Sequence, residues 1–324
     1  MSRLTDIATW AARHRRLLGA IQLVLLAAFF ISLGWALRHQ LHSAAHDLEN
    51  ANLVLFALGC AALGGYYLVF VVGWMRILAE WDIRLSYPDA LRAEMISMLA
   101  KYIPGGIWTP AARVVAARRA GVTDAALVTS SMLLEAGISA VAGVIVFVVA
   151  LPFVDNVDMS PWPLVIFGAV LAVLVQPRVF RPLAGKVLRR LGYTKELPNL
   201  RGRTLSGLLL FYAGTWVLGG LALWLLLRSV GAHPEFATIV FLGGTACVGA
   251  IVAVLFVFAP SGLGPREASM YGLLLAVASQ GAALGATVLN RVAITLVEVL
   301  LLVVGGLVLR RSEEREPEPA DAAA

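Results

Sequence analysis

Apolar runs alternate with short polar segments along almost the whole chain. The clearest runs are Leu17–Leu37, Leu53–Leu78, Ala125–Leu151, Pro163–Gln176, Thr204–Leu227 and Ala282–Leu309. A helix needs about 20 mostly apolar residues to cross roughly 30 Å of hydrocarbon, and all but the fourth run reach that length. The pattern predicts an all-α, polytopic membrane helical bundle with about six full spans.

Two further apolar regions are interrupted by proline and glycine, in KYIPGGIWTP (101–110) and in APSGLGPRE (259–267). Proline removes a backbone donor, and irregular backbone at membrane depth survives only where protein or a wet cavity surrounds it. The first break has a short arm on each side, and the second follows the apolar run Phe236–Phe258 and precedes a short arm, 266–279. We therefore predict two re-entrant or broken helical hairpins. The residues that break the helices and allow close backbone approach are Pro104, Gly105, Gly106, Pro260, Gly262 and Gly264.

The two breaks belong to related halves of the chain. A shift of 156 residues aligns Pro104 with Pro260 and Glu135 with Arg291, so each break precedes a charge by the same 31 residues. The loop charges predict that the first hairpin enters from the cytoplasm and the second from outside. We therefore expect an inverted repeat with halves at about 53–151 and 204–309, an arrangement typical of transporters.

Composition agrees with a membrane location: 60% of the residues are apolar and 14% are charged, and the mean hydropathy is +0.83. The net charge of +6 lies mostly in loops beside spans, which the positive-inside rule explains better than nucleic-acid binding does. We expect an integral plasma (inner) membrane protein with cytoplasmic termini. Residues 1–311 form its single domain, 177–203 a basic amphipathic helix on the membrane surface, and 312–324 a disordered cytoplasmic tail.

Sites for metals and cofactors are weakly indicated. His39, His42 and His46 have the spacing of a metal site on one helix face, but a solvated loop outside the membrane explains them more simply. No phosphate-binding loop, HExxH, GxSxG or CxxC motif occurs, so we predict no catalytic residue, metal or cofactor.

Charges within the apolar regions are the strongest functional signal, because a charge at the bilayer centre costs roughly 2.5–3.5 kcal/mol on insertion scales. Two pairings stay open: Glu135 with Arg291 across the repeat, or Arg291 with Glu298 seven residues further along one helix face. These pairs would either hold the fold or line a polar cavity.

The helices after the breaks begin with unpaired N–H groups, which favour phosphate. Arg113 and Arg266 lie in or near their first turns, and Lys101 lies just before the first break. A plain packing kink is the alternative. The predicted contacts to a lipid phosphate are Lys101, Arg113, Arg266 and Arg291. The predicted charge-balancing or proton-coupling residues are Glu135, Glu267 and Glu298.

The chain resembles the lysylphosphatidylglycerol synthase transmembrane (flippase) domain family. Four features carry the resemblance: KYIPGGIW followed by Arg113, Glu135 on the next span, PSGLGPRE, and the Arg291 helix. The resemblance covers nearly the whole chain and implies lipid movement between leaflets. It is to a stand-alone member, because the soluble aminoacyl-transferase domain of bifunctional relatives is absent. We therefore do not expect this chain to aminoacylate lipid.

Residues and resemblance together predict a flippase or transporter for an anionic phospholipid or lipid-linked intermediate. The expected partners are membrane lipids, of an anionic phospholipid or polyprenyl-phosphate type, and not nucleic acid. Two alternatives stay open: an intramembrane glycosyltransferase-type enzyme that uses a polyprenyl-phosphate donor, and a non-transporting scaffold for a lipid-modifying enzyme. A homo-oligomer stays open too.

Overall fold

A computed structural model describes residues 51–103, 107–154, 157, 160–190, 192–193, 196–256 and 259–313, with the backbone alone at 260 and 305–313. These residues form helices and connecting turns, which confirms the all-α prediction. The helices are α1 (Leu53–Glu80), α2 (Tyr87–Ala100), α3 (Trp108–Arg119), α4 (Ala125–Ala150), α5 (Trp162–Leu174), α6 (Pro177–Arg190), α7 (Gly202–Ser229), α8 (Ile239–Leu255), α9 (Pro265–Leu274) and α10 (Gln280–Glu313).

Polar side chains at the loop boundaries fix where the helices begin. The Asn52 side chain accepts hydrogen bonds from the backbone N–H groups of Val54 and Leu55, both at 3.1 Å, and so caps α1. Asp124 caps α4 in the same way, and Ser86 caps α2. Each cap satisfies backbone donors that the first turn leaves without partners.

Five of the described helical segments are long and apolar enough to cross a membrane, or six if the bent pair α5 and α6 counts as one span. The short arms α2, α3 and α9 have 14, 12 and 10 residues, so they reach only about 21, 18 and 15 Å. The arm before the second break differs, because Phe236–Leu255 has 20 residues and is long enough to span.

The two halves of the chain repeat the same order: a long helix, an arm, a break, a short arm and another long helix. Their first long helices, α1 and α7, pack against each other in opposite directions. At one end the Asn52 N–H donates to the Ser229 carbonyl at 2.9 Å, and at the other the Thr204 hydroxyl donates to Glu80 at 3.0 Å. An inverted repeat requires its equivalent helices to run in opposite directions, as α1 and α7 do, and the repeat itself stays a prediction.

Small residues let the central helices approach closely, as is common between membrane helices. A Cβ atom at Gly243 of α8 would lie 2.5 Å from the Trp216 carbonyl oxygen of α7, and one at Gly220 would collide with the Ile239 backbone. The α4 helix packs against both α7 and α8, and its Gly143 faces Cys247 of α8. These helices form the centre against which the breaks are held.

The α6 helix bends away from α5 by 76°. It carries five basic residues and exposes the apolar side chains of Leu183 and Val187, as the predicted surface helix would.

Three predicted features lie outside the described residues. They are the span 17–37, the cluster of His39, His42 and His46, and all but the first two residues of the tail.

Candidate functional site

Arg113, on the short arm after the first break, is held between two carboxylates. Its guanidinium forms ion pairs with Glu94 of α2 and with Glu135 of α4, the latter at 2.6 Å. It also donates to the Ser97 hydroxyl at 3.2 Å and lies 4.8 Å from the centre of the Trp74 ring. The three side chains are each at most 5% exposed, so this cluster is closed, and it holds two carboxyl groups for one guanidinium.

Lys101, at the end of the arm before the first break, pairs with Glu298 of α10. The same carboxylate accepts hydrogen bonds from the hydroxyls of Tyr67 at 2.7 Å and Tyr102 at 2.9 Å. Glu298 is 4% exposed, whereas the Lys101 side chain is 25% exposed. The lysine is therefore the accessible member of this pair.

Arg291, two helical turns before Glu298 on α10, faces the second break. Its Nη1 lies 3.3 Å from a carboxylate oxygen of Glu267 and donates to the Ser261 carbonyl at 3.3 Å. Its Nη2 is buried and has no hydrogen-bond partner among the residues that the structure describes. A buried donor without a partner is costly, and an anion is the partner that a guanidinium favours.

The second break has a tightly specified backbone. Ser261, Gly262 and Gly264 all have positive φ angles, of 52°, 68° and 92°. Glu267 closes the start of α9, because its carboxylate accepts a 2.7 Å hydrogen bond from the Gly264 N–H. Glu267 thus orders the break and binds Arg291 at the same time.

The two breaks touch each other. The Ser261 N–H donates to the Lys101 carbonyl at 3.2 Å, so the Lys101 group and the Arg291 group lie side by side. Arg266, in the first turn of α9, is a third basic residue beside the second break. It is partly buried, and its side chain packs near Gly249 of α8. We call Lys101, Arg266, Glu267, Arg291 and Glu298 the break junction: it has three cations, two carboxylates and one positive charge in excess.

Both pairings considered for Arg291 are wrong. Glu135 pairs with Arg113 and Arg291 pairs with Glu267, so each span charge binds the short arm of its own half. The signs of the paired charges are reversed between the halves: the span supplies a glutamate in the first half and an arginine in the second. The shift by 156 residues therefore aligned a glutamate with an arginine. Glu298 is about 10 Å along the axis from Arg291, beyond the reach of an i,i+4 pair, and it binds Lys101 instead.

The predicted site residues thus fall into two groups. Lys101, Arg266, Glu267, Arg291 and Glu298 meet at the break junction, whereas Arg113 and Glu135 share none of their polar partners with it. Pro104, Gly105 and Gly106 lie outside the described residues. The sequence pattern missed Glu94, Tyr67 and Tyr102. The signal for Glu94 was a carboxylate in a hairpin arm, and the tyrosines had none.

No three His, Cys, Asp or Glu side chains come together as a metal-ligand set within the described ranges. A comparison with curated proteins finds no match. A comparison with protein families matches residues 16–302 to the description "Lysylphosphatidylglycerol synthase TM region". The match spans both breaks, both charge clusters and all the spans from α1 to most of α10. This integral membrane protein belongs to the lysylphosphatidylglycerol synthase TM region family.

Proposed function

We propose that the protein moves an anionic phospholipid, or a lipid-linked intermediate with a phosphate, between the leaflets of the plasma membrane. The observation that carries the proposal is the Arg291 guanidinium, which is buried at the meeting point of two broken helices with its Nη2 donor unpartnered among the described residues. Family membership supports a role with membrane lipids.

The break junction suits a phosphate better than the Arg113 cluster does. The junction has an excess positive charge, and its Lys101 side chain is 25% exposed. The Arg113 guanidinium is already held by two carboxyl groups, and this arginine is 5% exposed. We therefore propose that Lys101, Arg266 and Arg291 contact the phosphate and that Arg113 stabilises the fold.

Polar groups of the junction would lower the cost of carrying a headgroup across the apolar interior. A phosphate between Arg291 and Lys101 would be offered charge-assisted hydrogen bonds in place of water. The carboxylates of Glu267 and Glu298 already hold these cations, so a phosphate would exchange with them rather than bind an isolated charge. Such competition keeps binding weak enough for release.

Breaks that meet from two halves also suggest how the site alternates. In transporters with inverted repeats, one half rocks against the other around a site near the bilayer midplane. The Ser261 to Lys101 hydrogen bond joins the two breaks directly, so its loss would let the halves separate on one side. We propose opposite orientations for the halves, with both termini in the cytoplasm.

Reconstitution tests this function. Purified protein is placed in phosphatidylcholine vesicles that contain a trace of phosphatidylglycerol with a fluorescent headgroup, and dithionite is added outside. We expect the protected inner-leaflet fluorescence to fall well below that of protein-free vesicles, with or without an imposed pH gradient. Protection equal to that of protein-free vesicles under both conditions would contradict transport, and transfer of sugar from a polyprenyl-phosphate donor would favour the enzyme alternative.

A further inference from the structure

A second polar feature lies away from the break junction, between the C-terminal end of α1 and the N-terminal end of α7. It is an open cavity of about 1050 Å³, here called the basic groove. Its basic lining residues are Arg76, Arg84 and Arg203, and all three are exposed. They form no ion pair or hydrogen bond with another described residue, so their charge is available to a ligand.

The carboxylate in the groove, that of Glu80, already has two partners. Glu80 accepts a 3.0 Å hydrogen bond from the Thr204 hydroxyl and lies 3.4 Å from Arg201 Nε. Arg201 is not part of the lining. The three lining arginines therefore give the groove a positive potential that Glu80 only partly offsets.

Most of the other lining residues are apolar, and along both helices the apolar lining extends from the arginines in one direction. On α1, Val72 precedes Arg76 by one turn, and on α7, Phe211 follows Arg203 by about 12 Å along the axis. The two helices are antiparallel, so both changes from basic to apolar run the same way. Leu210 beside Phe211 is 78% exposed, as expected of a side chain that faces acyl chains.

We propose that the basic groove binds a phospholipid with an anionic headgroup, with its phosphate at Arg76, Arg84 and Arg203 and an acyl chain along the apolar walls. A charged end next to an apolar trough fits the shape and polarity of such a lipid. The site is separate from the break junction, and binding there requires no movement between leaflets.

Two segments of the chain itself are poorer occupants. Residues 1–16 hold four arginines and one aspartate, so the groove would repel them. The segment 314–324 is acidic, but it has no large apolar side chain to place on the trough. A lipid satisfies both the charge and the apolar walls.

Equilibrium binding in uncharged detergent micelles tests the proposal, with phosphatidylglycerol labelled on its acyl chain as the probe and fluorescence anisotropy as the readout. The test variant combines R76Q, R84Q and R203Q, and its matched control is Arg118→Gln, an exposed arginine that does not line the groove. We expect the triple variant to bind about tenfold or more weakly, because three cationic contacts to the phosphate are lost together. Unchanged thermal unfolding shows that the triple variant is folded.

Competition arms separate the sources of the anion. Unlabelled phosphatidylglycerol should displace the probe, whereas phosphatidylcholine and free glycerol phosphate should displace it weakly. Equal affinity of the triple and control variants, or displacement by glycerol phosphate as strong as by the lipid, would overturn the proposal. So would a tenfold gain in affinity on deleting 314–324, because that tail would then be the occupant.

Discussion

Arg113 and Arg291 are both buried arginines on or beside broken helices, but their surroundings differ. Arg113 has two carboxylate partners, a hydroxyl acceptor and an aromatic ring, so its hydrogen-bonding capacity is largely used. Arg291 has one carboxylate partner and a terminal nitrogen without a partner within the described residues. Replacing the first should damage folding, and replacing the second should damage ligand binding.

Arg113→Gln should lower the free energy of unfolding by about 3–5 kcal/mol, because it leaves Glu94 and Glu135 buried without their cation. The measurement is denaturant unfolding in detergent micelles. Arg118→Gln on the same helix is the control; its side chain is exposed, so we expect a change within about 0.5 kcal/mol. Similar stability of the two variants would show that Arg113 is not the centre of a structural cluster.

Sequence could identify which charges matter but not which of them pair. A charge in an apolar run is visible from its neighbours alone, and Glu135, Arg291 and Glu298 were found in that way. Their partners come from other helices, and a spacing of seven residues does not show that two different breaks face Arg291 and Glu298. Tyr67 could not be identified for the same reason, because no sequence pattern shows that a tyrosine in a span donates a hydrogen bond to a carboxylate.

At the scale of elements, the backbone of the second break is specified by glycine at Gly262. Its φ is +68°, and a Cβ atom there would collide with Ala253 of α8. The left-handed conformation costs a residue with a side chain about 1–2 kcal/mol. The collision adds an overpacking cost, because α8 cannot move away from the junction without disturbing its contacts with α4 and α7.

Gly262→Ala should therefore lower the free energy of unfolding by about 2–5 kcal/mol, the sum of the strain and overpacking costs. Gly121→Ala separates the two contributions, since Gly121 has φ +87° but no neighbouring atom within 4 Å of the position that a Cβ would take. We expect only the strain cost of about 1–2 kcal/mol for that variant. If both variants lose equal stability, packing against Ala253 does not constrain the break.

Elements were predicted well because hydropathy and helix breakers act locally. The boundaries of α1, α4 and α7 lie within a few residues of the predicted runs, and both breaks fall at the proline–glycine sequences. The apolar run before the second break, Phe236–Phe258, corresponds to Phe236–Leu255, which is long enough to span. The second break therefore lies at the end of a full-length apolar segment.

At the scale of the whole molecule, the antiparallel pairing of α1 with α7 places the two breaks against each other. The resulting Ser261 to Lys101 contact brings three cations from separate parts of the sequence to one place. Repeat spacing predicted that the breaks are related, but only the folded chain shows that they touch. Charged residues from both halves of the chain therefore lie together at the break junction.

We propose that the break junction binds the lipid phosphate during movement between leaflets. The most direct measurement is the rate at which headgroup-labelled phosphatidylglycerol becomes reachable by dithionite, in vesicles with equal amounts of folded protein. Arg291→Gln should lower this rate by about tenfold or more, because a charge-assisted hydrogen bond of about 1.5–3 kcal/mol is lost. Arg291→Lys should retain part of the rate, and Arg118→Gln should retain all of it. Movement at the wild-type rate in folded Arg291→Gln protein would contradict the claim.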